Sequence, residues 1–172
     1  MKTFLPAIVL TNLYILFLIC VFTSPAFLPE RFATSFDFSG EPECWMSRVS
    51  YMMFVSGMGS FGVLWFVVLG FFFRIMPDKW VNVPQREYWF APERRWETMN
   101  YIFRQMIWYA CLLTCFFIAL HFSTVHANKL NPIHLPQGEF FTILGGFVAG
   151  TLIWLVLFFC CISDEAISIT YM

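Results

Sequence analysis

The residues of this chain best suited to metal or proton chemistry are His121, His126 and His134, with Glu139 close behind them in sequence. His121 and His126 are five apart, whereas two metal ligands on one helical face favour a spacing of about four. A site would therefore need the intervening segment to fold back towards Glu139. The expectation is solvated or capping histidines, with no bound metal and no cofactor. No nucleophile elbow, phosphate-cradling Walker loop, HExxH or CxxC is present. The remaining candidate, Cys44, either pairs between chains, stays free or is buried.

These residues are carried by a very apolar chain, 59% hydrophobic against 12% charged. That balance is far from a soluble domain and predicts an all-α integral membrane protein. Apolar runs at 5–22, 49–73, 102–121 and 140–162 are each near the roughly 20 residues needed to cross a bilayer core. The first run has features of a cleaved leader, with Lys2 before it and "TSPA" after it. Its length and the interruptions at Pro6 and Asn12 favour a retained helix. The four runs contain no Asp, Glu or Lys. Ion-coupled transport usually needs such groups, so a membrane transporter is the weaker alternative. Asn12, Ser56, Ser60, Thr114, Thr142 and Thr151 are expected to bond their own or a neighbouring helix.

Six of the ten basic residues, Arg74, Lys79, Arg86, Arg94, Arg95 and Arg104, cluster in the segment from Arg74 to Arg104. The positive-inside rule makes the 74–101 connection cytoplasmic, with both termini on that side and loops 23–48 and 122–139 external. Cys20, Cys111, Cys115, Cys160 and Cys161 fall in apolar runs, where a thiol behaves as a small hydrophobe. Cys160 and Cys161 are also candidates for acylation. Ser56 with Ser60, and Gly146 with Gly150, make small-xxx-small pairs suited to close helix packing.

In the first external loop, Phe32, Thr34, Phe36 and Phe38 alternate with Ala33, Ser35, Asp37 and Ser39. That is the period of a strand, with the phenylalanines as its buried face and a turn at Ser39 and Gly40. A lone strand is unstable. No second strand is evident in the same loop, and pairing with "ANKLNPIHLP" is weakly signalled. The acids Glu30, Asp37, Glu41 and Glu43 suit a cationic or amphipathic partner. In the cytoplasmic connection, Pro92 and Glu93 mark a helix start running into the third span. Trp80, Trp89, Trp96 and Tyr101 are placed at headgroup level.

Two stretches carry a resemblance. "LPERFATSFDFSGEPECWMSR", with Pro29, Phe36, Asp37, Gly40, Pro42, Trp45 and Arg48, resembles the signature of a bacterial membrane family sharing the SdpI-like domain, that of sporulation-delaying-protein immunity. "NVPQREYWFAPERR", with Asn82, Pro84, Tyr88, Trp89, Pro92, Glu93, Arg94 and Arg95, is similar to a second block of its shorter members. The resemblance implies a bacterial inner-membrane protein with the first block in the loop after helix one. The family's immunity and signalling role belongs to larger members with additional spans. Ser35 stands where members usually have histidine, so no titrating or metal-binding role carries over.

The resulting expectation is a non-enzymatic multi-pass protein in the lipid bilayer. Its loops would recognise an amphipathic peptide or a membrane protein partner, with no nucleic acid involved. An accessory subunit of a larger membrane complex is the alternative.

Overall fold

The computed structural model describes residues 4–77, 80 and 89–170, with side chains throughout that set except at 25 and 161–170. Four helices dominate it. They are α1 (Phe4–Thr23), α2 (Arg48–Ile75), α3 (Arg95–Ala127) and α4 (Gln137–Thr170), and a two-stranded sheet lies between the first two. Each helix contains a segment long and apolar enough to cross a membrane, which makes this a multi-pass membrane protein.

Several polar residues in these spans bond locally, as a hydrocarbon environment favours. Asn12 donates to the Ile8 carbonyl at 2.8 Å, Ser56 to Met52 at 2.6 Å and Thr114 to Ala110 at 2.7 Å. Thr142 and Thr151 reach Gly138 and Phe147 in the same way. Ser60 bonds the Ser56 carbonyl and also meets the Tyr14 hydroxyl at 2.6 Å, tying α2 to α1.

Helix α3 is the centre, with α1, α2 and α4 each packed mainly on it. Leu10, Phe103, Ile107, Ala110 and Cys111 form one buried cluster between α1 and α3. A second cluster, Leu28, Phe32, Tyr51 and Val125, sits under the sheet. Close approach between helices falls at glycines: a Cβ at Gly59 would run into the Phe17 ring, and one at Gly70 would come within 2.7 Å of the Phe103 ring.

Helix boundaries follow local chemistry. Ser47 ends its strand and caps α2, its hydroxyl accepting from Ser50 N at 3.1 Å, so strand passes into helix without a linker. Pro77 follows the last turn of α2 and cannot continue it. Helix α3 starts at Arg95 rather than at Pro92, because residues 92–94 form turns. Thr98 holds that start, donating its hydroxyl to Trp89 and Arg94 carbonyls.

The alternating loop segment is a strand, β1 (Arg31–Phe36), and its partner lies in the same loop as β2 (Pro42–Ser47). This corrects the expectation of no second strand there. "PECWMS" lacks apolar alternation, and its face is mostly exposed, so only the backbone pairing reveals it. The pairing is antiparallel, with irregularities between Ala33 and Ser35 and between Ser35 and Phe36. These shifts also break the expected phenylalanine face. Phe32 is fully buried and Phe36 half-buried, but Phe38 lies beyond the strand and is 99% exposed.

Candidate functional site

The polar chemistry of the described residues gathers where the hairpin meets the segment joining α3 to α4. Asp37 organises the hairpin turn, its Oδ1 accepting from Ser39 N at 2.8 Å and Glu41 N at 2.9 Å. Gly40 follows with φ 87°, a left-handed conformation that glycine adopts without strain. Its lack of a side chain also lets the second loop close on it: Leu135 N donates to the Gly40 carbonyl at 2.8 Å, and a Cβ there would meet the Leu135 carbonyl oxygen at 2.6 Å. One residue pair further on, Gln137 Nε2 donates to Phe38 O at 2.6 Å.

Asn128 makes the second lock. Its Oδ1 accepts from Ala33 N at 2.8 Å, and its Nδ2 donates to Ala33 O at 2.7 Å and Thr124 O at 2.9 Å. The side-chain amide thus pairs with the outer edge of β1 as a neighbouring strand would. The loop expected to pair weakly with β1 does so through this amide rather than as a strand. Arg48 fixes the base of the hairpin, with Nη2 on the Leu28 carbonyl and its backbone N on Glu30 O at 2.9 Å.

The three histidines have three different environments. His126 Nδ1 meets Glu139 Oε2 at 2.7 Å, so the loop does fold back, joining the ends of α3 and α4. His134 Nδ1 contacts Pro132 O in its own loop. His121 is almost fully buried rather than solvated or capping. Its Nε2 lies 3.1 Å from the Cys20 carbonyl and therefore carries the proton, which leaves Nδ1 to accept from the Tyr51 hydroxyl at 2.9 Å. One ring thereby joins α1, α2 and α3. Among the described residues, no three His, Cys, Asp or Glu side chains are grouped closely enough to hold a metal.

Two cavities lie under the hairpin. The larger, about 680 Å³, is walled by Phe36, Asp37 and Glu43 of the hairpin side, Leu120 and Ser123 of α3, and Phe140, Phe141 and Leu144 of α4. The smaller, about 360 Å³, lies towards α2 and includes Tyr51, Met58, Cys44 and His121. Thr34, Leu120 and Thr124 line both. Sequence reasoning missed Ser123, whose buried hydroxyl has no hydrogen-bond partner among the described residues. It also missed Asn128, because nothing in the local pattern distinguishes a strand-pairing asparagine from one that ends a helix.

The other signature residues are dispersed. Pro29 is exposed, Pro42 is half-buried at the start of β2, and Trp45 is an exposed residue of β2, three positions before α2 begins. Cys44 is free and exposed, as are Cys115 and Cys160. Of the basic-connection block, Asn82, Pro84 and Tyr88 lie outside the described residues. Residues 90–94 form the turns before α3, with Arg94 N and Arg95 N both donating to the Ala91 carbonyl. Gly150 packs on Leu112 of α3, whereas Gly146 and Gly145 face open space. No family model, curated protein or solved structure matches the chain.

Proposed function

We propose that this chain is a non-enzymatic recognition protein of a bacterial inner membrane, SdpI-like and of immunity or signalling type. The interlocked hairpin and second loop form its recognition face, which receives an amphipathic peptide or a membrane protein partner. One observation carries the reading: the two loops are tied by backbone and side-chain bonds from Asn128, Leu135 and Gln137, yet the cap exposes Phe27, Phe38 and Trp45. Exposed aromatics on an ordered loop scaffold are a common form of protein contact. The likeness of the first block to the SdpI-like signature supports the same face. Copurification from mild detergent tests it. Phe38→Ala with Trp45→Ala, both outside the core, is expected to lose partners that the wild type retains, and an unchanged partner set would count against the face.

A second reading, an accessory subunit of a larger membrane complex, is favoured by α4. No residue in its apolar segment Gln137–Cys160 is buried, and a side chain at Gly145 or Gly146 would meet no neighbour among the described residues. Small residues on an uncovered helix face suit a second helix at close range. A homogeneous monomer in mild detergent would argue against this reading.

A further inference from the structure

A separate space opens at the other end of the bundle, beside the last turn of α2. It measures about 480 Å³ and is a groove between α1 and α2, both of which pack on α3. Phe4, Ala7 and Thr11 form the α1 wall, Val67 and Arg74 the α2 wall, and Phe103 the α3 floor. The three α1 residues are exposed, so the groove is open along its flank. Thr11 donates to Ala7 O at 2.9 Å within its own helix, which leaves no polar demand at its level. Arg74 is the single charged residue of the described lining.

An arginine at the end of a span ordinarily extends its head into water. Arg74 is instead clasped beside the groove. Its guanidinium carbon lies 4.0 Å from the centre of the Phe103 ring, 5.7 Å from that of Trp96 and 5.8 Å from that of Phe71. Nη2 donates to Asn100 Oδ1 at 2.5 Å, which anchors the head to α3. Its charge is unmatched, because no Asp or Glu among the described residues pairs with it. Nε is enclosed and faces no ligand, whereas Nη1 is accessible and has no protein partner among the described residues. A held cation therefore offers a free donor edge at the groove.

From Arg74 the α2 wall runs two turns, about 10 Å, to Val67, and the α1 wall covers the same depth from Phe4 to Thr11. Charge stands at the helix ends and apolar surface towards the middle of the bundle. We infer that this groove holds a bilayer lipid of net anionic headgroup, with its phosphate at Arg74 Nη1 and an acyl chain laid between α1 and α2. Guanidinium N–H groups match phosphate oxygens in charge and geometry, and basic pockets between membrane helices take such headgroups. The described lining holds no carboxylate, so the ammonium of a zwitterionic lipid finds no partner there, while a net anionic headgroup needs none. The volume is within the usual range for a small-molecule site. Because Arg74 and the hairpin lie at opposite ends of α2, the inference is independent of the recognition reading.

Native mass spectrometry of the full chain in mild detergent provides the readout, with dioleoylphosphatidylglycerol, dioleoylphosphatidylcholine or glycerol phosphate titrated in. The expected result is one phosphatidylglycerol per chain, held about ten-fold more tightly than phosphatidylcholine, as one charge-assisted bond would give. Glycerol phosphate, which has the headgroup charge without a chain, is not retained. Arg74→Gln should remove the ten-fold preference and leave phosphatidylcholine retention as it was. Ala7→Trp fills the groove from its exposed wall and should weaken both lipids. Arg104→Gln removes a basic residue from the same end but outside the lining, and should keep the preference.

Equal retention of the two lipids by the wild type, or a preference that survives Arg74→Gln, would overturn the inference. An equal loss in Arg104→Gln would do the same, by showing a diffuse basic field rather than a site. Retention of glycerol phosphate as strong as that of phosphatidylglycerol would remove the acyl chain from the groove. Should Arg74→Gln fail to fold for want of its Asn100 bond, Ala7→Trp decides alone, since it leaves every Arg74 contact in place: undiminished phosphatidylglycerol binding there refutes the groove, and weakened binding upholds it.

Discussion

Asn128 has a larger structural role than any residue singled out by motif. Its amide satisfies both backbone groups of Ala33 in a buried setting, and also a carbonyl of its own helix. Asn128→Ala leaves the Ala33 N–H and C=O unpaired, and is expected to cost about 2 to 3 kcal/mol. Thermal unfolding in one detergent against wild type measures it, and an unchanged midpoint would contradict the assigned role. His121 teaches a related lesson about legibility. Its position near the end of an apolar run suggests a solvated ring, but its two nitrogens are occupied by groups 101 and 70 residues away, Cys20 and Tyr51. Spacing along the chain carries no trace of partners that distant. Gly40 was legible as a turn, because Ser-Gly after a strand pattern is a local signal, but not as the seat of the Leu135 carbonyl.

At the level of elements, the apolar runs located all four helices, since span length and hydropathy are properties of contiguous sequence. Their ends were less legible. Helix α3 covers Arg95–Ala127 against an expected apolar run of 102–121. The added turns carry polar residues, among them Thr98, Ser123 and His126, whose bonding or burial depends on tertiary neighbours. Strand β1 was legible by alternation and β2 was not, because its exposed face removes the pattern. The small residues of α2 allow a sharp comparison. A Cβ at Gly57 would meet nothing within 4 Å among the described residues outside its own helix, whereas one at Gly59 collides with the Phe17 ring of α1. Gly59→Leu is expected to destabilise by about 1 to 3 kcal/mol through overpacking, and Gly57→Leu to stay within about 0.5 kcal/mol of wild type. Paired melting curves decide it, and equal effects at the two sites would refute the assigned α1–α2 contact.

Across the whole molecule, packing is uneven: α3 is enclosed by three helices, while α4 touches little besides α3. Gly146→Leu is expected to leave the isolated chain's stability within about 0.5 kcal/mol of wild type while reducing association with a helical partner. Gly150→Leu should destabilise the chain itself, because Leu112 already occupies that space. Sedimentation in mild detergent, run beside thermal unfolding, separates these effects; loss of stability at Gly146 would show that its face is covered within the chain. The sequence pattern did not distinguish the two glycines, since small-xxx-small spacing marks a face without naming its neighbour. The amide of Asn128 has one more consequence, for traffic between chains. A two-stranded ribbon normally offers two vacant margins to any extended polypeptide, and either can seed sheet extension. Here one margin is sealed at Ala33, so an incoming strand could align only beside β2, running antiparallel or parallel to Pro42–Ser47, where Cys44 and Trp45 would be the first side chains it met.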